Sequence, residues 1–333
     1  MSLSVPPSRA TIDQHLNAVY PSFAMLAGVR VGAFTPLGNG PMDATELAEV
    51  LGVNPFKLET LLYGLVMANL LTLEGGRFAI TPEADFYLVE GRTGYVGHKI
   101  AYYADRWTAD LRTAESLLTD TPQGELDYAS MSEAQLNEFY KSWHAAALAT
   151  GRQLADMCDF RSFGTLLEIA GGSGGLTIAA CQHCPDLQAT IVDLPTATPV
   201  TRRYVDEAGL ADRITIASHD VTHSPPEGHY DAAVMMNFIQ ILTRDDARRA
   251  LVNIGKALVP GGKVFIIGYV LDDSQISPPD IAASNFAFLN LYDEGRAYTE
   301  SLHCAWLEEA GFSTLDRTLL PGGLSLIRSK KAV

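Results

Sequence analysis

Basic residues are scarce in this 333-residue chain: 24 Lys and Arg stand against 39 Asp and Glu, a formal net charge of −15. Polyanions are bound by clustered cations, so this balance argues against nucleic acid and anionic membranes as partners. Long apolar runs are missing too. Nothing approaches the roughly 18 consecutive apolar residues that cross a bilayer. Met1 to Arg9 lacks a basic region followed by an apolar one, so no secretory signal is expected there and the expected location is the cytoplasm. Cysteine is sparse, with Cys158, Cys181, Cys184 and Cys304 only. That excludes a disulfide framework and fits a reducing compartment. Cys181-Gln182-His183-Cys184 has the spacing of half a metal site, but zinc takes four ligands and no second pair appears. Both thiols read as packing at a helix end, and no metal is expected.

What the chain does have is a glycine cluster between a strand and a helix. Leu166, Leu167 and Ile169 form a short apolar run, followed by Gly171, Gly172, Gly174 and Gly175 and then by Leu176, Ile178, Ala179 and Ala180. Such a turn lets a ligand lie against the backbone. A second strand, 189–192, ends at Asp193, about 20 residues beyond the glycines, where an acid can accept hydrogen bonds from ribose hydroxyls. A dinucleotide fingerprint wants a small residue three positions after Gly174 to seat a pyrophosphate, and Thr177 stands there. S-adenosylmethionine (SAM) carries no phosphate and needs only the turn and the acid. A third strand, 213–217, ends in Ser218-His219-Asp220, where a polar residue can reach the adenine amino group. The pattern reads as a nucleoside-binding half of a Rossmann-like α/β sheet.

At 47% hydrophobic, the chain is long enough for two domains. Residues 9–34 read as helices, interrupted near Pro21. Residues 42–90 read as a winged helix. Asp43 and Glu46 form a capping box, Gly52 closes that helix, Asn54-Pro55 opens the next, and 70–80 is a β-hairpin wing. A winged helix suggests a DNA-binding regulator. Its charges oppose this, since Lys57 and Arg77 stand against Asp43, Glu46, Glu49, Glu59, Glu74, Glu83, Asp85 and Glu90. Residues 92–160 are helical and rich in aromatics. Tyr103, Trp107, Phe139 and Trp143 can pack a core or line an apolar acceptor pocket. A fourth strand, 230–236, ends at Asn237, and Pro260-Gly261-Gly262 turns into a fifth, 263–268. Ligands lie outside the carboxyl ends of such strands, which puts Asn237 and Gln240 at the site. The segment 324–328 reads as an edge strand.

Leu167-Glu168-Ile169-Ala170-Gly171-Gly172-Ser173-Gly174-Gly175, Asp193-Leu194-Pro195 and Glu309-Ala310-Gly311-Phe312 together resemble the small-molecule SAM-dependent O-methyltransferases of plant phenolic and bacterial polyketide and phenazine chemistry. The resemblance covers nearly the whole chain. It implies a helical and winged-helix dimerisation domain (1–92), helices lining the acceptor pocket (93–160) and a Rossmann-like SAM domain (161–333). It implies a homodimer, a small aromatic or polyketide-like acceptor, and S-adenosylhomocysteine (SAH) as the product. Glu168, Gly171, Gly172, Gly174, Asp193, Leu194, Asp220, Val221 and Asn237 would hold the cofactor. Asn285 and Phe286 would join the pocket aromatics.

One departure stands out. The family's basic histidine follows the fourth strand, and Gln240 takes its place here. The two supporting acids fall near Asn285 and on Leu302. Glutamine hydrogen-bonds but takes no proton at neutral pH. Three readings follow. Alignment of an acidic nucleophile with the sulfonium can supply the rate. Another base can substitute, with His144 on the pocket helix and His303 as candidates, although His303 is turned about 100° from position 302. Or the fold binds SAM for non-methylating chemistry, as hydroxylase-decarboxylase or pericyclase relatives do.

Overall fold

Side-chain caps fix the start of three of the N-terminal helices. The computed structural model describes residues 7–333, which divide between Asp105 and Arg106 into two units. In the first, α1 (Ala10–Asn17) gives way to α2 (Tyr20–Val31), with Pro21 in the first turn where its missing N–H costs nothing. After α3 (Phe34–Leu37) comes α4 (Ala44–Leu51). Asp43 accepts from the Thr45 and Glu46 amides while Glu46 accepts from the Asp43 amide, a complete capping box. Asn54 caps α5 (Pro55–Met67) one way only, accepting from the Phe56 and Lys57 amides. The wing is β1 (Leu71–Glu74) paired antiparallel with β2 (Arg77–Ile80), followed by α6 (Pro82–Leu88). Leu47, Leu62, Leu65 and Phe78 form this unit's core.

α7 (Gly97–Asp110) spans the division, and α8 (Thr113–Thr119) and α9 (Glu133–Met157) follow. The rest alternates strand and helix: β3 (Thr165–Ile169), α10 (Gly175–His183), β4 (Gln188–Asp193), α11 (Thr198–Glu207), β5 (Ile214–Ser218), β6 (Tyr230–Met236), α12 (Arg244–Ala257), β7 (Leu258–Gly268), β8 (Val270–Leu271), α13 (Pro279–Phe288), β9 (Tyr298–Thr299), α14 (Glu300–Glu309), β10 (Phe312–Leu319) and β11 (Ser325–Lys331). The large sheet has seven strands in the order β10-β11-β7-β6-β3-β4-β5. Strands β3 to β7 run parallel, and β11 and β10 add an antiparallel hairpin beside β7.

Alternation across the pleat makes two cores. Leu167, Ile169, Ala233, Met235 and Ile266 face α12 and α14, whereas Leu166, Ala232, Val234, Phe265 and Ile267 face α9 and α10. Two details differ from the sequence reading. The fifth parallel strand starts at Leu258 rather than Lys263, because Leu258 already pairs with Tyr230 ahead of a register shift. The C-terminal strand is not an edge, because β11 is bonded on both sides and β10 is the outer strand. No described helix is long and apolar enough to cross a membrane.

Candidate active site

The switch in strand order lies between β3, which leads to β4 and β5 on one side, and β6, which leads to β7 on the other. Ligands bind beyond the carboxyl ends of strands at such a point. At that edge the backbone leaves ordinary conformations twice without glycine. Ala170, after β3, has φ 52° and Asn237, after β6, has φ 56°. Non-glycine residues hold this left-handed geometry only where their surroundings enforce it. The Ala170 amide donates to the Val192 carbonyl at 2.7 Å, and the Asn237 amide donates to the Ile267 carbonyl at 2.8 Å. Each bond ties a strand end to its neighbour and bends the chain over the sheet.

The glycine turn is built for close approach. Gly172 and Gly174 have φ of 56° and 69°. A Cβ on Gly171 would meet Ile191 at 2.5 Å, and one on Gly172 would meet the Tyr140 ring at 2.9 Å. Four contacts fix the turn. The Gly172 amide donates to Asp193 Oδ2 at 2.7 Å, and Thr201 Oγ1 donates to the Gly172 carbonyl at 2.6 Å. Ser173 Oγ lies 2.8 Å from His144 Nδ1, and the Gly174 amide reaches the Gly171 carbonyl. His144 is also stacked on Tyr204 with ring centres 4.3 Å apart. Burial lowers its pKa, which keeps the ring neutral.

Under the turn lie two buried carboxylates. Glu168 accepts from the Thr177 amide at 3.3 Å, and burial pushes its pKa up to about 7. Asp193 accepts from the Gly172 and Leu194 amides, and burial pushes its pKa up to about 6. Each amide uses one lone pair of a carboxylate that has about four acceptor positions, so Asp193 keeps capacity for hydroxyl donors. Asp220, beyond β5, is occupied locally by the Thr222 amide and hydroxyl and by His223 Nδ1 at 2.9 Å. Val221 beside it is buried. Leu194 is half-buried at the start of the turn after β4.

A glycine cradle over two anionic floor groups suits a ligand with a cationic amino-acid end and a ribose. The residues present therefore fit SAM. A pyrophosphate would meet these carboxylates with like charge.

Gln240 sits in a 3-10 turn, Ile239–Ile241, directly after β6. It is 4% exposed, and its Nε2 donates to Asn237 Oδ1 at 3.1 Å. A Cβ on Gly268, at the end of β7, would lie 2.8 Å from its Oε1. Gln240 and Asn237 are thus brought together at the carboxyl edge. Asn285 Oδ1 accepts from the Ala297 amide. With Phe286, Leu289 and Tyr292, it lines a cavity of about 520 Å³. Phe139 packs against Tyr128, Tyr140 and Trp143, an aromatic group on and beside α9. Trp107 lies on the portion of α7 in this second unit. Tyr103 lies on the portion in the first, edge-on to Tyr102 with ring centres 6.1 Å apart.

His303 is buried against Trp306, with Nδ1 2.9 Å from the Thr299 carbonyl of its own helix turn. Burial lowers its pKa to about 4. Leu302 packs against the core. Sequence reasoning offers Tyr140 only as one of the aromatics of residues 92–160 and does not single out Ser173 or Thr201. Their roles arise from tertiary contact with Gly172 and His144. The signal available was weak: a hydroxyl inside the glycine run, and a Thr one helical turn into α11.

Residues 122–313 match the O-methyltransferase domain family. A 3-hydroxy-5-methyl-1-naphthoate 3-O-methyltransferase of Streptomyces sahachiroi is 31% identical over 317 residues, covering 92% of this chain and 91% of that protein. A tetracenomycin polyketide synthesis 8-O-methyl transferase of Streptomyces glaucescens is 28% identical over 323 residues, covering 94% of each. In fold, the chain is similar to the crystal structure of human N-acetylserotonin methyltransferase in complex with SAM. The TM-score is 0.86 at 18% identity, covering 100% of both chains.

Proposed function

The chain belongs to the O-methyltransferase family, and on that premise we propose that it methylates a hydroxyl of a small aromatic or polyketide-like acceptor with no basic side chain at position 240. The observation that carries this reading is the placement of Gln240. It is buried at the carboxyl edge, held by Asn237 and pressed against Gly268, where a histidine would serve as base. The two named relatives methylate oxygens of a hydroxynaphthoate and of a polyketide, which supports the acceptor class.

When bound, SAM supplies an electrophilic methyl group on a sulfonium. Glu168 would meet the amino group, and Asp193 would take the ribose hydroxyls. Gly171, Gly172 and Gly174 would leave room for the methionine portion. Leu194 would pack on the adenine, with Asp220 and Val221 bracketing it, and Asn237 would hold the amino-acid end. Gln240 then orients the acceptor oxygen. The acceptor's proton would pass to solvent as its oxygen takes the methyl group. An acidic phenol gives up that proton without a protein base, so alignment supplies the rate. Of the two candidate histidines, His144 supports the turn through Ser173, and buried His303 supports α14.

The chain acts as a homodimer through its first unit, in the cytoplasm. Incubation with SAM and a panel of hydroxyarenes, followed by mass spectrometry, tests the reading. Products one methyl heavier are expected, with acidic phenols turning over fastest. Gln240→His is expected to raise kcat/KM for weakly acidic phenols by about tenfold or more and to add a titration limb between pH 6 and 7. Tight SAM binding with no methylated product from any hydroxyarene would sink the O-transfer reading in favour of non-methylating chemistry.

A further inference from the structure

Away from the glycine turn, two phenols meet inside the aromatic region. Tyr128 Oη and Tyr292 Oη lie 3.0 Å apart, although 164 residues separate them in sequence. Their meeting is engineered by the backbone. The Gly124 amide donates to the Asn290 carbonyl and the Leu126 amide to the Leu291 carbonyl, which lays the segment before Tyr128 alongside the end of α13. Asn290 is fully buried and anchors this seam. Its side chain accepts from Ser116 and donates to Asp110 and Thr113.

The pair also lies close to both ends of the candidate chemistry. The Tyr128 carbonyl accepts from Thr196 Oγ1, one residue beyond Asp193-Leu194-Pro195. A Cβ on Gly295 would lie 2.9 Å from both the Gln240 backbone oxygen and Tyr292 Cβ, so the chain at Tyr292 runs beside the turn that carries Gln240. Aromatic rings flank the phenols, with Phe139 on Tyr128 and Phe288 on Tyr292. Tyr292 also lines the cavity shared with Asn285 and Phe286.

Between two hydroxyls one hydrogen bond forms, using one of two O–H hydrogens. Either phenol can donate in this pair, and when Tyr128 donates, the Tyr292 hydrogen is left for a ligand. The oxygen of Tyr292 is meanwhile polarised by the donor behind it. Arg106 holds the Ser284 carbonyl of α13 at 3.3 Å, and its positive charge is felt at Tyr292. Burial still raises the Tyr292 pKa, so the phenol stays a donor at neutral pH. The acidic groups on the cavity rim, Asp120, Asp293 and Glu294, are exposed and therefore screened.

We infer that the Tyr128–Tyr292 pair, backed by Arg106, selects acceptors that carry a second oxygen, a carboxylate beside the hydroxyl that is methylated. The inference rests on the methyltransferase reading and narrows its substrate class. Tyr292 hydrogen-bonds the carboxylate, the flanking rings hold the arene, and the neighbouring hydroxyl is presented toward Gln240.

The test uses two probes on one ring system, 3-hydroxy-2-naphthoate and 2-naphthol, titrated into the 333-residue chain saturated with SAH. The wild type is expected to bind the naphthoate more tightly. Tyr292→Phe keeps the ring and is expected to weaken the naphthoate by about 10- to 100-fold while leaving naphthol and SAH affinity unchanged. Tyr128→Phe is expected to have a smaller effect in the same direction. With turnover, the loss falls on KM rather than kcat. Equal loss for both probes, no loss for either, or a wild type that binds SAH but neither probe overturns the inference. A protein that fails to bind SAH at all brings down the cofactor assignment instead, whatever the phenols do.

Discussion

Glu168 and Asp193 make the ligand-free protein's stability depend on pH in an unusual direction. A raised carboxyl pKa means that the folded chain holds a proton the unfolded chain has already lost. Its stabilising contribution is complete below the unfolded value and disappears as pH rises through the folded one. For Glu168 that window runs from 4.5 to about 7, and for Asp193 from 3.8 to about 6. These two groups therefore favour a ligand-free melting temperature that falls as pH rises from 5 to 7.5. Glu168→Gln should flatten much of the fall, and differential scanning fluorimetry across pH reads it. SAM brings positive charge to the same floor, so its affinity should climb between pH 6 and 8 in the wild type and stay flat in Glu168→Gln. Asp193→Ala is a harsher change. It removes the acceptor for the Gly172 amide together with the proposed ribose contact. SAM affinity should fall by at least about 30-fold, since two or more charge-assisted hydrogen bonds go at once. Unchanged affinity by calorimetry would remove Asp193 from the cofactor site.

Helix α9 is the element that sets the height of the glycine turn. Gly151 lies where α9 crosses α10, and a Cβ there would sit 2.3 Å from the Leu176 carbonyl oxygen. One turn earlier, a Cβ on Gly175 would lie 2.9 Å from Ala147 Cβ, and His144 reaches Ser173. In an exposed helix, Gly→Ala stabilises by roughly 1 kcal/mol. Here Gly151→Ala should destabilise by about 1–3 kcal/mol through overpacking. It should weaken SAM as well, because His144 and Tyr140 move off the turn together. A more stable Gly151→Ala protein would contradict the close crossing. The sequence showed the parts of this site that are local. Gly172, Gly174 and Asp193 were visible because a strand, a tight turn and a second strand tip lie within one βαβ unit. The Asp43 capping box was visible because its two residues stand three apart. The crossing at Gly151, the Thr201 clamp and the Tyr128–Tyr292 contact depend on chain segments that meet only in the fold, and glycine or tyrosine in a helix announces nothing about its opposite number. The outer hairpin was misread for the same reason: an apolar C-terminal strand looks alike at an edge or one place inward, and pairing with β7 decides it.

At the scale of the whole molecule, the first unit presents apolar side chains that its own core does not take up. Ile12, Leu16, Val19 and Tyr20 on and between α1 and α2 are 60%, 67%, 42% and 63% exposed, while Leu47, Leu62 and Leu65 nearby in sequence are fully buried. Scattered apolar residues on a surface are ordinary, but a run of them along consecutive helical turns is the pattern of a face covered by a partner. A net charge of −15 opposes association of two identical chains at long range. A dimer therefore needs apolar contact where charges are few, and between Asp13 and Asp43 the chain has no acidic residue. The expected species in light scattering is twice the chain mass of 36.0 kDa. Leu16→Glu with Tyr20→Glu should shift it to the single-chain mass, because each partner would bury unpaired carboxylates. The variant should still bind SAM, whose proposed contacts all lie beyond Arg106. Raising salt should strengthen the wild-type dimer by screening the long-range repulsion, as apolar association between like-charged chains requires. A wild type that is monomeric at every salt concentration would remove this face as an interface. A double variant that stays dimeric would place the interface elsewhere on the chain.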